Sequence, residues 1–218
     1  MSSAVIQLLV LAGIAVFLIL RLKNVLGTRD GFEKPPVAVS SSARKRGDFE
    51  VIEGGPDRDI TDHVAEGTAA AKALTAMKAA EPSFMVGEFL SGAKGAYEMI
   101  LMAFENGDME QIRPFLGDDV FESFSEVVKS RQEQGLTIDA HFVGVRETTL
   151  AAAEFDEQTR EGEITVRFVG ELTSVVRNKD GQIVEGNSNE IKRQKDVWTF
   201  ARPMGTENPN WQLVATGG

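Results

Sequence analysis

The longest amphipathic pattern in the chain lies in residues 82–108, PSFMVGEFLSGAKGAYEMILMAFENGD. Val86, Phe89, Leu90, Ala93, Ala96, Tyr97, Ile100, Leu101 and Phe104 recur at steps of three and four, the spacing of one continuous helical stripe. Met85, Gly92, Met99 and Ala103 widen the stripe on one flank, while Glu88, Ser91, Lys94, Glu98 and Glu105 hold the opposite side. An apolar arc this wide predicts two neighbours, a sheet on one side and a second helix on the other. Three glycines in one helix would cost about 1 kcal/mol each against alanine. Gly92 falls on the flank expected to be buried, where close backbone approach would offset that cost. Gly87 and Gly95 fall on the polar side, and the pattern gives them no role.

The segments on either side follow the same logic. Residues 61–81 form an alanine-rich helical pattern that Thr61 or Asp62 can cap and that ends before Pro82. Its apolar side is thin (Val64, Ala71, Leu74, Met77), so it either docks on the domain or faces a membrane surface or partner. Residues 109–116 read as a short helix limited by Pro114. Asp119 with Glu122 forms a capping box for a helix to about Glu133, with Val120, Phe121, Phe124, Val127 and Val128 on one face and a stop at Gly135. From Leu136 the period changes to two: Leu136, Ile138, Ala140 and Phe142, then Ile164, Val166, Phe168, Gly170 and Leu172, alternate with other residues. Asp180-Gly181 is a hairpin signal leading into a strand over 187–202, and Asn208-Pro209-Asn210 turns into a last strand over 211–216. Helices first and an antiparallel meander after them make an α+β class.

The amino terminus has a different pattern. Residues 4–22 are almost wholly apolar, and about 19 residues of helix span roughly 29 Å, enough for the hydrocarbon core of a bilayer. Val5, Leu9, Ile14, Phe17 and Leu20 are representative of the expected anchor. Arg21, Lys23 and Arg29 follow it and no basic residue precedes it, the reverse of a secretory signal peptide. The positive-inside rule then places the C-terminal side in the cytoplasm. The expected organisation is a transmembrane anchor over 1–29, a linker over 30–60, the alanine-rich helix over 61–81 and a folded domain over 82–218. Within the linker, Arg44-Lys45-Arg46 is either a weak contact for anionic lipid or a solvated charge run.

Composition removes several functions. The 218 residues carry a formal charge of −10, with no cysteine and two histidines, His63 and His141. The acidic balance argues against nucleic acid as a partner, and neither a thiolate site nor a histidine-built metal centre has residues to form it. No cofactor is expected, for the chain lacks a P-loop, a dinucleotide fingerprint and a nucleophile elbow. Pocket acid–base chemistry would need a carboxylate or histidine base with a donor facing it. Asp139, His141 and Tyr97 are the candidates. Strand alternation puts Asp139 and His141 on the face opposite Ile138, Ala140 and Phe142, and Tyr97 sits mid-stripe as a core aromatic. Phe89, Tyr97, Phe104, Phe121, Phe124, Phe142 and Trp198 either pack an ordinary core or line an apolar pocket. The charged strand EIKRQKD, residues 190–196, is either a solvated sheet face or a docking surface for an acidic partner.

Three separated stretches in one order, EPSF with FLSGAKGAYEMILMAFENGD, then ITVRF, then DVWTFAR with NPNWQLVAT, resemble a Tim44-like domain. The resemblance covers about residues 62–218. It implies a nuclear-transport-factor-two-like cone, a curved antiparallel sheet around a long helix with an apolar pocket. It also implies a non-enzymatic tether at a bacterial inner membrane that contacts lipid and translocase, chaperone or membrane-protein partners. The alternative is a small-molecule or lipid binder using the pocket. Unlike the mitochondrial namesake, this chain has a membrane span in place of a cleaved presequence, and a short linker in place of a long chaperone-binding region.

Overall fold

A computed structural model describes residues 55–217. The proposed anchor with Val5, Leu9, Ile14, Phe17 and Leu20, and all but the end of the proposed linker, lie outside the described residues. Among the described residues no helix is long and apolar enough to cross a membrane.

Helices come first and a sheet follows, as the change of period predicts. The helices are α1 (Arg58–Thr61), α2 (Ala69–Ala80), α3 (Val86–Asn106), α4 (Met109–Ile112) and α5 (Asp118–Glu133), with a 3₁₀ turn at Arg113–Phe115. The strands β1 (Thr137–Phe155), β2 (Glu161–Arg177), β3 (Ile183–Pro203) and β4 (Gln212–Gly217) form one antiparallel sheet in sequential order. β1 meets β2 with three breaks in register, at Phe142/Gly144, Val145/Glu147 and Leu150/Ala152. Each such bulge bends a strand and increases its twist.

One sheet face carries the core. Ile164, Val166 and Phe168 of β2, Trp198 and Phe200 of β3, and Leu150 of β1 are buried against Phe89, Tyr97 and Ile100 of α3 and Leu74 and Met77 of α2. α3 ends where Gly107 takes φ +79°, a left-handed turn that glycine enters without steric cost. Its amide donates to Ala103 and Phe104 carbonyls.

Helix starts differ most from the sequence reading. The alanine-rich helix begins at Ala69, where Thr68 Oγ1 accepts from the Ala71 amide at 3.2 Å; Thr61 instead closes the separate helix α1, with Asp62 beyond it. α3 begins at Val86, four residues after Pro82, and its own N-cap Met85 offers no side-chain bond. Its first amides donate instead to a distant residue: Asp59 of α1 accepts from Val86 at 2.7 Å and from Gly87 at 3.0 Å. Lys78 of α2 holds that carboxylate at 2.8 Å and Asp57 at 2.6 Å. Burial works against ionisation of Asp59, but Lys78 and the two amides outweigh it and hold its carboxyl below the usual range. Gly87 thus belongs to a capping contact that links three helices.

Residues 119 and 122 form no capping box. The N-cap of α5 is Gly117, fixed from outside by its amide bond to the Leu213 carbonyl at 2.8 Å and by the Leu116–Leu213 bridge. This attachment to β4 also decides what covers α3. α5 reaches α3 through Phe104 and Phe124, 4.5 Å apart between ring centres, near the end of the long helix. Upstream, the flank expected to be buried is open: Met85 is exposed, and nothing stands within 4 Å of a Cβ added at Gly92. Gly92 does not serve close packing.

Candidate functional site

The open flank of α3 forms one wall of an apolar groove of about 360 Å³. Met85, Phe89, Gly92, Ala93 and Ala96 supply that wall, and Phe84, Phe115, Phe200 and Trp211 complete it. Phe89 and Trp211 are 4.7 Å apart between ring centres and Phe84 and Trp211 5.9 Å apart, so Trp211 closes an aromatic corner. Its lining includes an ion pair. Arg202, 4% exposed, donates from Nη2 to Glu81 Oε1 at 2.8 Å and from Nη1 to the Asn208 carbonyl at 3.2 Å. Its guanidinium also lies 5.2 Å from the centre of the Trp211 ring. Glu81 Oε2 accepts from the Gly205 amide at 2.7 Å. Burial opposes the charge on Glu81, yet Arg202 and the Gly205 amide hold its carboxyl below the usual range. The groove is mostly apolar, with Glu88 and the Glu81–Arg202 pair in its lining, which suits an amphiphilic occupant.

The seven aromatics singled out from the sequence are found in three places. Phe89 alone lies in the groove. Tyr97, Phe142 and Trp198 gather in the core with Phe168, where Tyr97 stacks on Phe168 at 4.5 Å and meets Trp198 at 4.8 Å and Phe142 at 6.2 Å. Phe104 and Phe124 pair between α3 and α5 with the Arg131 guanidinium 4.4 Å over Phe104, and Phe121 lies under Arg113 at 4.3 Å.

Tyr97 is wholly buried, and its hydroxyl is bonded on the inner sheet face. Its Oη donates to Asp196 Oδ2 at 2.5 Å, and Gln194 Nε2 donates to Tyr97 Oη at 3.2 Å and to Asp196 Oδ2 at 2.8 Å. Burial, with the Asp196 carboxylate beside it, pushes the phenol well above its usual pKa, so it remains a proton donor to Asp196. Gly170 makes this possible: a Cβ there would lie 2.6 Å from Tyr97 Oη. Asp139 and His141 lie on the outer sheet face, 3.4 Å apart and largely exposed. They are brought together with each other but not with Tyr97 or the groove. Among the described residues no group of three or more His, Cys, Asp or Glu could hold a metal ion.

Sequence reasoning missed Arg202, Glu81, Phe84 and Phe115 as groove residues. One signal for Arg202 was present, because alternation from Trp198 and Phe200 carries it to the inner face. Gln194 and Asp196 follow the same alternation out of the charged run 190–196. Glu81 and Phe115 carry no comparable mark, as a turn and a 3₁₀ segment have no face to read.

A family model described as Tim44-like domain matches residues 70–218. Among curated proteins, the human mitochondrial import inner membrane translocase subunit TIM44 is 23% identical over 167 residues, covering 72% of this chain and 36% of the relative. The probable mitochondrial import inner membrane translocase subunit tin-44 of Caenorhabditis elegans is 27% identical over 118 residues, covering 53% of this chain and 27% of the relative. The chain thus spans about a third of the length of the curated relatives it matches. A solved structure of the intermembrane space region of the chloroplast protein ARC6 covers 50% of this chain and 75% of that one at 6% identity, with a TM-score of 0.34, too low to bear on the fold. On the family match, which takes in both the groove and the sheet beneath it, the chain belongs to the Tim44-like domain family.

Proposed function

We propose that the protein is a membrane-tethered, non-enzymatic adaptor in protein translocation or membrane-protein biogenesis at a bacterial inner membrane. The observation that carries this reading is the Tim44-like domain over residues 70–218, joined to an apolar run at 4–22 with Arg21, Lys23 and Arg29 after it. The relatives' names place them in an inner-membrane import translocase, and the anchor would hold this domain on the cytoplasmic side of its own membrane. The sheet and α3 are read as a nuclear-transport-factor-two-like cone, with the groove at its side. The domain itself would run over 82–218 with the alanine-rich helix docked on it. Membrane lipids, a translocase, a chaperone or a client membrane protein are the expected contacts.

Two measurements test the reading. Full-length protein should stay in the membrane fraction through a high-salt wash, and a photocrosslinker at Ser91, beside the open flank of α3, should capture translocase, chaperone or membrane-protein partners. Recovery of the full chain in the soluble fraction would remove the anchor, and capture of lipid alone would remove the adaptor. The groove favours a second reading, a binder of lipid or another amphiphile. With Trp198→Phe, Trp211 is the sole indole, and a brominated lipid seated in the groove should quench it. Unchanged emission at saturating lipid would rule that occupant out.

A further inference from the structure

The outer face of the sheet carries a second feature, separate from the groove. Glu171 on β2 faces outward yet is only 8% exposed, because two arginines lie over it. Arg146 Nε donates to Glu171 Oε1 at 2.6 Å, and Arg193 donates to the same oxygen from Nη2 at 3.0 Å and Nε at 3.3 Å. The bonds from Arg146 and then Arg193 hold the Glu171 carboxyl below its usual range. Both arginine side chains remain more than half exposed. Among the described residues, both Nη groups of Arg146 and Nη1 of Arg193 have no partner.

Cross-strand pairing extends the patch. Glu171 pairs with Arg193, Val169 with Lys195 and Arg167 with Val197, so alternation brings all six to one face. Lys195 and Arg167 are exposed and, among the described residues, engage no carboxylate. Four cations thus share a face with Glu147 and Glu171, in a chain whose charge is −10. Arg193 and Lys195 stand two residues apart on one strand, about 6.8 Å. Carboxylates at alternate positions of an extended chain have the same spacing.

We propose that the Arg146–Arg193 fork, with Lys195 beside it, docks an acidic, extended segment of a partner protein. Glu171 is the pin: it fixes two flexible guanidiniums in place and leaves their remaining N–H groups facing outward for carboxylate oxygens. Pre-organised donors lose less side-chain entropy on binding. A protein segment fits better than a bilayer surface or a nucleic acid because the same sheet face turns acidic at its far end. Glu154 and Glu163 are paired across β1 and β2 there and Glu161 adjoins them, so burial and these neighbours push Glu163 above its usual range. A broad anionic surface would meet that repulsion, whereas a short segment occupies the fork alone. The proposal rests on the adaptor reading only for the partner's being a protein.

The test uses the full chain in nanodiscs of zwitterionic lipid and a fluorescein-labelled twelve-residue peptide of alternating Glu and Thr, read by anisotropy at low salt. Because removing the arginines alone strands Glu171, the key variant is the neutral triple Arg146→Gln, Glu171→Gln, Arg193→Gln, with its melting temperature as a fold check. It should weaken the peptide at least tenfold. Glu171→Gln alone removes a negative charge, so simple attraction would tighten binding, whereas a lost pin should weaken it about threefold. Tightening by Glu171→Gln, or equal affinity in the triple variant, overturns the proposal. So does phosphatidylglycerol vesicle binding that needs the same arginines while the peptide fails to bind. If one of these overturning results appears while the unaltered chain keeps its crosslinks from Ser91, the adaptor reading survives and the fork alone is wrong.

Discussion

The two apolar flanks of α3 end in opposite conditions. On the sheet side Tyr97 and Ile100 are fully buried, Tyr97 stacks on Phe168, and Gly170 is small so that the phenol can approach the strand. On the other side Gly92, Ala96 and Met85 line an open groove, and a Cβ added at Gly92 meets nothing. Both flanks are apolar in sequence, and the helix presents them with the same periodicity. Apolar patterning therefore marks surface that favours leaving water; whether this chain or a partner covers it depends on where the next element is attached.

Four measurements would break or sharpen this contrast. Phe168→Ala removes the ring under Tyr97 and should cost about 3–5 kcal/mol in urea unfolding, as large-to-small core changes do. A loss as small as that expected on the groove side would mean that the sealed side is not sealed.

The second concerns the close approach of Gly170 to Tyr97. Gly170→Ala should destabilise by about 1–3 kcal/mol through overpacking, since the added Cβ would lie 2.6 Å from Oη and 3.0 Å from Cε1. Adding Tyr97→Phe removes the nearest atom and should recover part of that loss, so the pair should be non-additive. Strict additivity would break the account of the contact.

Third is the cap that holds the start of α3. Asp59→Ala should cost about 1–2 kcal/mol, the scale of a lost N-cap. The sign of the pH effect follows from the lowered pKa of Asp59 and Glu81. Their contribution is complete above the unfolded carboxylate values near 4 and is lost as pH falls through the lower folded values. Urea midpoints for the native chain should therefore fall below about pH 4, and Asp59→Ala should flatten that fall.

The smallest effect is on the open flank. Gly92→Ala adds a Cβ to empty space in a helix and should stabilise by about 0.5–1 kcal/mol. Destabilisation there would show that the flank is covered after all.

Much of the fold could be read from the chain. The stripe from Val86 to Phe104, the change to a period of two at Leu136 and the Asp180-Gly181 hairpin correspond to α3, the start of β1 and the β2–β3 turn. The outward placement of Asp139 and His141 also follows from alternation. Helix starts were less legible. α3 takes its cap from Asp59, 27 residues away, and α5 takes its start from Leu213, so no local motif announces either. The site was legible only in part. Phe89 was named for the groove, but Arg202 joins it from the end of β3 and Phe84 from the turn between α2 and α3.

By itself the sequence determined what local spacing encodes: the helix and strand periods, the order that makes the class α+β, the family motifs, and the absence of cysteine. Those properties depend on neighbours a few residues apart. The tertiary structure alone decided which apolar flank of α3 closed, which carboxylate capped it, and that Glu171 would pin two arginines from different strands. Each of these is a contact between residues far apart in the chain, and its geometry exists only once the sheet has set its register.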